Sequence, residues 1–404
     1  MSVIALVGTF DTKGEEYLYV KEKIENLGLK TLTIHAGIFD SVFVPDINND
    51  SVAIMGDGIL SELQEKRNRG QAMEVMSRGL CQIVPKLYEE GMFDGILALG
   101  GSGGTALVTP CMRLLPLGIP KIMVSTLASG DVGRYVGTSD ILMMPSIVDV
   151  AGINRISSQV YTHAVHAIVG MVEHKNTDRP EKKPLIAATM YGVTTPCVMK
   201  ARKYLEKAGY EVIIFHASGT GGRIMESLIN NGIIDGVLDL TTTEWIDEIC
   251  GGIMAAGPER LDAAALKGIP QVVSVGAADL LTFGERESLP DRYKDRKVYM
   301  HNPAITVVRS NIEENILFGL KLAEKLNQCK CNAAVMLPLR GISMNDIEGS
   351  DYYGPEEDRA LFLTLRESIK NPLVEVIDVD AHINDAVFAL LAAKKLIALI
   401  ERKQ

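Results

Sequence analysis

Two stretches of the chain repeat one another at a constant offset of 181 residues. Laid over each other, Ile4-Ala5-Leu6-Val7-Gly8-Thr9 matches Leu185-Ile186-Ala187-Ala188-Thr189-Met190, Gly28 falls on Gly209, and His35-Ala36 falls on His216-Ala217, with no gap. In each copy an apolar run ends in a polar turn. An amphipathic stretch follows (residues 15–27 and 196–208), a glycine stops it, and a second apolar run begins. That is the order of a βαβ opening. The match resumes at residues 90–95 against 231–236 and at Gly118-Ile119-Pro120 against Gly268-Ile269-Pro270. Parallel strands joined through helices cross over right-handedly. The repeat therefore predicts an α/β protein of two similar doubly wound, Rossmann-like domains with mainly parallel sheets, whose ligands sit beyond the carboxyl ends of the strands.

A length of 404 residues is too great for one ordinary core. With 47% hydrophobic residues, 5% aromatics and 37 glycines, the chain has the aliphatic character of helix-covered parallel sheets. Residues 173–184 are charged and contain prolines, so they read as an exposed linker between domains spanning 1–180 and 184–404. The first half carries extra polar residues at 45–69, and within them Glu65-Lys66-Arg67-Asn68-Arg69 reads as a solvated face. Residues 383–400 read as a helix that docks back on one of the two domains.

A net charge of -10 argues against general nucleic-acid binding and against attraction to anionic membranes. No apolar stretch is long enough to span a bilayer and no leader pattern opens the chain, so a cytoplasmic protein is expected. The six cysteines are scattered; Cys329 and Cys331 lack the spacing of common zinc or redox pairs, and all six are expected to be reduced thiols. His163 and His166 supply only two ligands, so no metal site is assigned to them. A homodimer or higher homo-oligomer is the general expectation for a soluble chain.

The candidate chemistry lies where apolar runs end. After Ile96 to Leu99 comes Gly100-Gly101-Ser102-Gly103-Gly104-Thr105, whose glycines let consecutive amides point at one phosphate and whose Thr105 opens a helix. After the first run comes Gly8-Thr9-Phe10-Asp11-Thr12-Lys13-Gly14. Lys13 would offset phosphate charge, Thr9 and Thr12 would donate hydrogen bonds, and Asp11 would hold a ribose hydroxyl or a hydrated Mg²⁺. It is not a Walker A loop. A third loop follows residues 122–124, in which Ser129, Gly130, Asp131 and Thr138 would contact the ligand. There Tyr135 would cover a base, Arg134 would meet phosphate, and Asp131 or Asp140 would position a metal.

In the second half, Ser218, Gly219, Gly221 and Gly222 could cradle an anion, with Arg223 as a clamp on a carboxylate or phosphate. Arg340, Asp380, His382 and His301 suit acid/base work on a small anionic metabolite, in a cleft between the halves, if they converge. A different reading takes Gly100 to Gly104 as a nucleophile elbow, with Ser102 as nucleophile, His382 or His301 as base, and Asp378 or Asp279 as acid. A scaffold that binds protein partners is a third reading, and it predicts a large exposed apolar patch.

Gly8 to Gly14, Gly100 to Thr105, Ala151-Gly152-Ile153-Asn154-Arg155 and His216 to Gly222 together resemble the UPF0261, or Tm-1-like, proteins, and the resemblance covers essentially the whole chain. In the family's plant branch the similar region binds ATP and blocks viral RNA replication. The resemblance implies a nucleotide-binding protein with ATP as its ligand. It implies no antiviral action, which depends on a partner surface.

Overall fold

The computed structural model describes residues 1–174 and 183–402, apart from the side chain of His301. The chain separates into two units, Met1–Arg179 and Pro180–Gln404. Most of the expected linker, residues 175–182, lies outside the described residues.

The first unit is a five-stranded parallel sheet of β1 (Val3–Gly8), β2 (Lys30–His35), β3 (Gly95–Gly100), β4 (Lys121–Ser125) and β5 (Leu142–Pro145), in the order β2-β1-β3-β4-β5. Both faces are covered. Ala5, Val7, Ile96 and Ala98 point into a core shared with helices Arg69–Glu89 and Ser102–Arg113, whereas Ile4, Leu6, Leu97 and Leu99 pack against helices Gly14–Asn26 and Arg155–Glu173. Alternate residues thus serve opposite cores, which is why these strands read as continuous apolar runs rather than as alternating ones.

The second unit repeats and extends the plan with β6 (Leu185–Met190), β7 (Glu211–His216), β8 (Gly236–Thr241), β9 (Gln271–Gly276), β13 (Ala333–Pro338) and β14 (Val374–Val379). Their order, β14-β13-β9-β8-β6-β7, is that of the first sheet with one more strand at the far edge. Between β9 and β13 the chain inserts a small antiparallel sheet, β10 (Leu280–Phe283), β11 (Val298–Asn302) and β12 (Ile305–Arg309), ordered β10-β12-β11. The helix Ala386–Glu401 docks on its own unit, burying Phe388, Ala389, Ala392 and Leu396 beside Ile186, Leu238 and Ala334. Among the described residues no helix is long and apolar enough to cross a membrane.

The duplication is real, but its first segment is displaced from the ungapped match. Ile4 pairs with Gly95 in the first sheet and Ile186 pairs with Gly236 in the second, so Ile4 corresponds to Ile186 and not to Leu185. His35 and His216 do correspond, each ending the second strand of its unit. The second copy therefore has one residue fewer between its first two strands. A slip of one residue normally moves every side chain to the other face. Here both faces are apolar, so the slipped match still looked right.

Candidate functional site

In the first sheet the chain turns to opposite sides of β1, with β2 on one flank and β3 on the other. Doubly wound sheets bind ligands at this switch point. The register of β1 with β3 runs only from Ile4↔Gly95 to Leu6↔Leu97. Beyond it the Tyr17 hydroxyl bridges the gap, donating to Val7 O at 2.7 Å and accepting from Leu99 N–H at 2.8 Å. A Cβ on Gly8 would lie 2.0 Å from that hydroxyl, so glycine is required by close approach.

The separated strand ends open into a cavity of about 740 Å³, a size that suits a small-molecule ligand. Thr9, Asp11, Thr12 and Lys13 line it from β1, Gly100, Gly101, Ser102, Gly103 and Gly104 from β3, and residues 36–39 from β2. Two helices start at this edge, Gly14–Asn26 and Ser102–Arg113, and neither has a side-chain cap on its first-turn amides. Those donors and the helix dipoles favour an anion. His35 shapes the β2 side: its Nδ1 accepts the Phe10 N–H at 3.0 Å and its Nε2 donates to Phe39 O at 2.9 Å.

The ion balance of the cavity is positive. Lys13, Arg67 and Arg69 line it against Asp11 and Asp149, and none of the three cations makes an ion pair or side-chain hydrogen bond among the described residues. Asp11 Oδ2 accepts the Phe39 N–H at 3.1 Å, while its Oδ1 is buried and has no partner among the described residues. Ala72, Met73, Met76 and Leu107 supply an apolar wall.

Arg67 and Arg69 come from the run expected to be a plain solvated face. They are exposed, as expected, yet they also form part of the cavity lining. Asn68 caps the helix Arg69–Glu89 by accepting from Gln71 N–H, and this brings Arg69 beside the glycine loop; a Cβ on Gly103 would stand 2.9 Å from Arg69 Nη2. The signal available in the sequence was that this segment is extra in the first copy only. Phe39, Met73, Met76 and Asp149 were likewise missed, and nothing in their local sequence marks them.

Not every residue of the three expected loops reaches the cavity. Gly8 serves the Tyr17 approach, and Thr105 is buried, with its hydroxyl donating to Gly101 O and within 2.7 Å of Ser125 Oγ. Ser129, Gly130, Asp131, Tyr135 and Thr138 lie outside the lining. Gly130 closes a turn on Leu127 O, and Asp131 accepts the Gly133 N–H. Arg134 lies over the Tyr135 ring at 4.7 Å and donates to its hydroxyl, while Asp140 is paired with Lys121. Asp131, Arg134, Tyr135 and Asp140 are thus engaged within that loop or by its neighbours.

The glycine loop of the second unit already holds an anion. Glu244 Oε1 accepts the N–H groups of Gly219 and Gly222 at 2.7 and 3.0 Å, and Oε2 accepts Arg260 Nε at 2.7 Å. Arg260 also forks onto Asp239 at 2.6 and 2.8 Å, and all three of these side chains are buried. Arg223 is committed to Ala255 O and Thr220 Oγ1, Ser218 donates to His216 O, and Gly221 lies in the first turn of the helix Thr220–Asn230. The expectation of an open cradle here is corrected, because the amides it would use are taken up internally. Glu244 and Gly103 are equivalent positions, each eight residues beyond the glycine that opens its strand.

The expected acid/base cluster is also otherwise engaged. Arg340 and Asp380 form a bidentate pair at 2.7 and 2.8 Å, mostly in solvent. His382 donates from Nε2 to Ser343 O and accepts the Asn384 N–H at Nδ1, so both ring nitrogens are used in holding loops. The side chain of His301, on β11, lies outside the described residues. The elbow reading finds Ser102 in the cavity lining, but no histidine lines that cavity among the described residues. Asp378 and Asp279 are partnered in the second unit by Arg366 and Ser343.

Residues 2–177 match the model described as the Uncharacterised protein family (UPF0261) N-terminal domain, and residues 183–400 match that of its C-terminal domain. The chain belongs to the UPF0261 family. A UPF0261 protein of Clostridium tetani is 49% identical over 99% of both chains. UPF0261 protein RA0729 of Rhizobium meliloti is 41% identical over 96% of this chain and 97% of its own. The ToMV resistance protein Tm-1(GCR237) of Solanum lycopersicum is 38% identical over 95% of this chain, which spans 54% of that longer protein. Both copies of the duplicated fold thus fall within UPF0261 models, and the open cavity belongs to the N-terminal one.

Proposed function

We propose that this UPF0261 protein binds ATP in the cavity of its first unit. The observation that carries the reading is the conjunction of uncapped helix amides with three cations, Lys13, Arg67 and Arg69, that have no ion-pair partner among the described residues, around one cavity of about 740 Å³. The phosphates lie against Ser102, Gly103 and Gly104, where helix dipole and backbone donors act together. The nucleoside takes the apolar wall of Ala72, Met73, Met76 and Leu107. Asp11, with one buried carboxylate oxygen unpartnered among the described residues, suits a ribose hydroxyl or a hydrated Mg²⁺ that accompanies the phosphates. The family resemblance supports the same ligand.

Calorimetric titration of the folded, full-length chain with ATP, with and without Mg²⁺, tests this. Saturable binding is expected, and Lys13→Ala or Arg69→Ala should each weaken it by roughly 10- to 100-fold, the usual loss of a charge-assisted contact. A folded protein that takes up no ATP under either condition would overturn the proposal.

A further inference from the structure

A smaller cavity of about 250 Å³ lies at the carboxyl end of β13 in the second unit. Leu339, Pro355 and Phe362 line it, together with three arginines, Arg340, Arg359 and Arg366. Three cations around so small a space call for anions. Arg340 has Asp380 and Arg366 has Asp378, but both pairs are largely in water, where such pairs contribute ~0–1 kcal/mol and exchange readily. Arg359 makes no ion pair or side-chain hydrogen bond among the described residues, although it lines the cavity.

The floor of the cavity is built. Asp358, 5% exposed, accepts Arg309 Nη2 at 3.1 Å, and the same Nη2 lies 3.7 Å from the buried Asp346 Oδ1. Burial, and next to it the neighbouring Asp346, push the Asp358 carboxyl well above the usual carboxylate range, and the buried Arg309 sits among Asp279, Asp358 and Asp346. The raised Asp358 carboxyl and the Arg309 guanidinium make this floor less negative than its carboxyl groups alone would.

We propose that this cavity binds a small organic carboxylate, held in the planar fork of Arg359 with its carbon body against Leu339, Pro355 and Phe362. Guanidinium forks match carboxylate geometry, and the two neighbouring arginines already engage carboxylates here. The apolar walls favour an organic acid over a bare inorganic anion, and the volume, about a third of that of the first cavity, excludes a nucleotide. The site stands on residues of the second unit alone and does not rest on ATP binding by the first.

Benzoate and inorganic phosphate, titrated in parallel into the full-length protein by calorimetry, test the proposal. Benzoate should saturate in the millimolar range or tighter and should raise the unfolding temperature. Arg359→Ala should weaken it by roughly tenfold or more, and Arg359→Lys, which keeps the charge and loses the fork, should fall in between. Arg359 is exposed, so the ligand-free unfolding temperature of each variant should match that of the parent and report intact folding; Arg366→Ala serves as a second variant with the same expected loss. No saturation by benzoate, equal affinity in folded Arg359→Ala, or tighter binding of phosphate than of benzoate would each overturn it.

Discussion

Gly103 and Glu244 occupy the same place in two copies of one fold, and the difference between them is a carboxylate. In the second copy that carboxylate takes the amides of the neighbouring Gly219 to Gly222 loop, after β7; in the first the position itself, with Arg69, lines a cavity. Gly103→Glu is therefore expected to abolish ATP binding by calorimetry while leaving thermal unfolding close to that of the parent. The new side chain would meet the far end of Arg69, which can move, and an acid is favourable in the first turn of a helix. At Gly8 the obstacle is fixed. Gly8→Ala drives a methyl into the Tyr17 hydroxyl and should cost about 1–3 kcal/mol in urea unfolding. Residue types alone led to Thr9, Asp11, Lys13 and the Gly100 to Gly104 loop, because polar and glycine residues after an apolar run have few other uses. They did not lead to Arg69, since a charge run looks the same whether it faces bulk water or the mouth of a cavity.

At the scale of elements, the paired apolar runs and glycine stops were enough to place β1, β2, β6 and β7, with their helices between. The inserted sheet of β10, β11 and β12 was not legible, because its strands are short and interrupt an otherwise parallel pattern. Nor was the closure of the Gly219 to Gly222 loop. Its filling residue sits 22 to 25 positions further along, and only the fold brings it back. Glu244→Ala is expected to leave two buried amides and Arg260 short of a partner, and to destabilise the second unit by about 3–5 kcal/mol in denaturant titration. The loss should be much larger than for Asp380→Ala, whose pair with Arg340 is exposed.

The whole molecule is two units with separate cores, and they should answer different conditions. Burial pushes the Asp247 carboxyl up to about 7 and that of Asp279 up to about 6, both in the second unit. A carboxyl whose value is raised by folding holds its proton longer in the native state. Its contribution is full below the unfolded value of about 3.9 and is lost as pH rises towards the folded one, by ~1.4 kcal/mol per pH unit for each such group. Urea unfolding of the second unit should therefore weaken between about pH 4 and pH 7, and Asp247→Asn should flatten part of that slope. ATP, bound as proposed, should stabilise the first unit by about 2.7 kcal/mol at a hundredfold excess over Kd, read by calorimetry. The duplicated plan also gives a criterion for sorting relatives. A member with an acidic residue where this chain has Gly103 would carry a built-in counter-ion in both halves, and its demand for one from the cell would be correspondingly smaller.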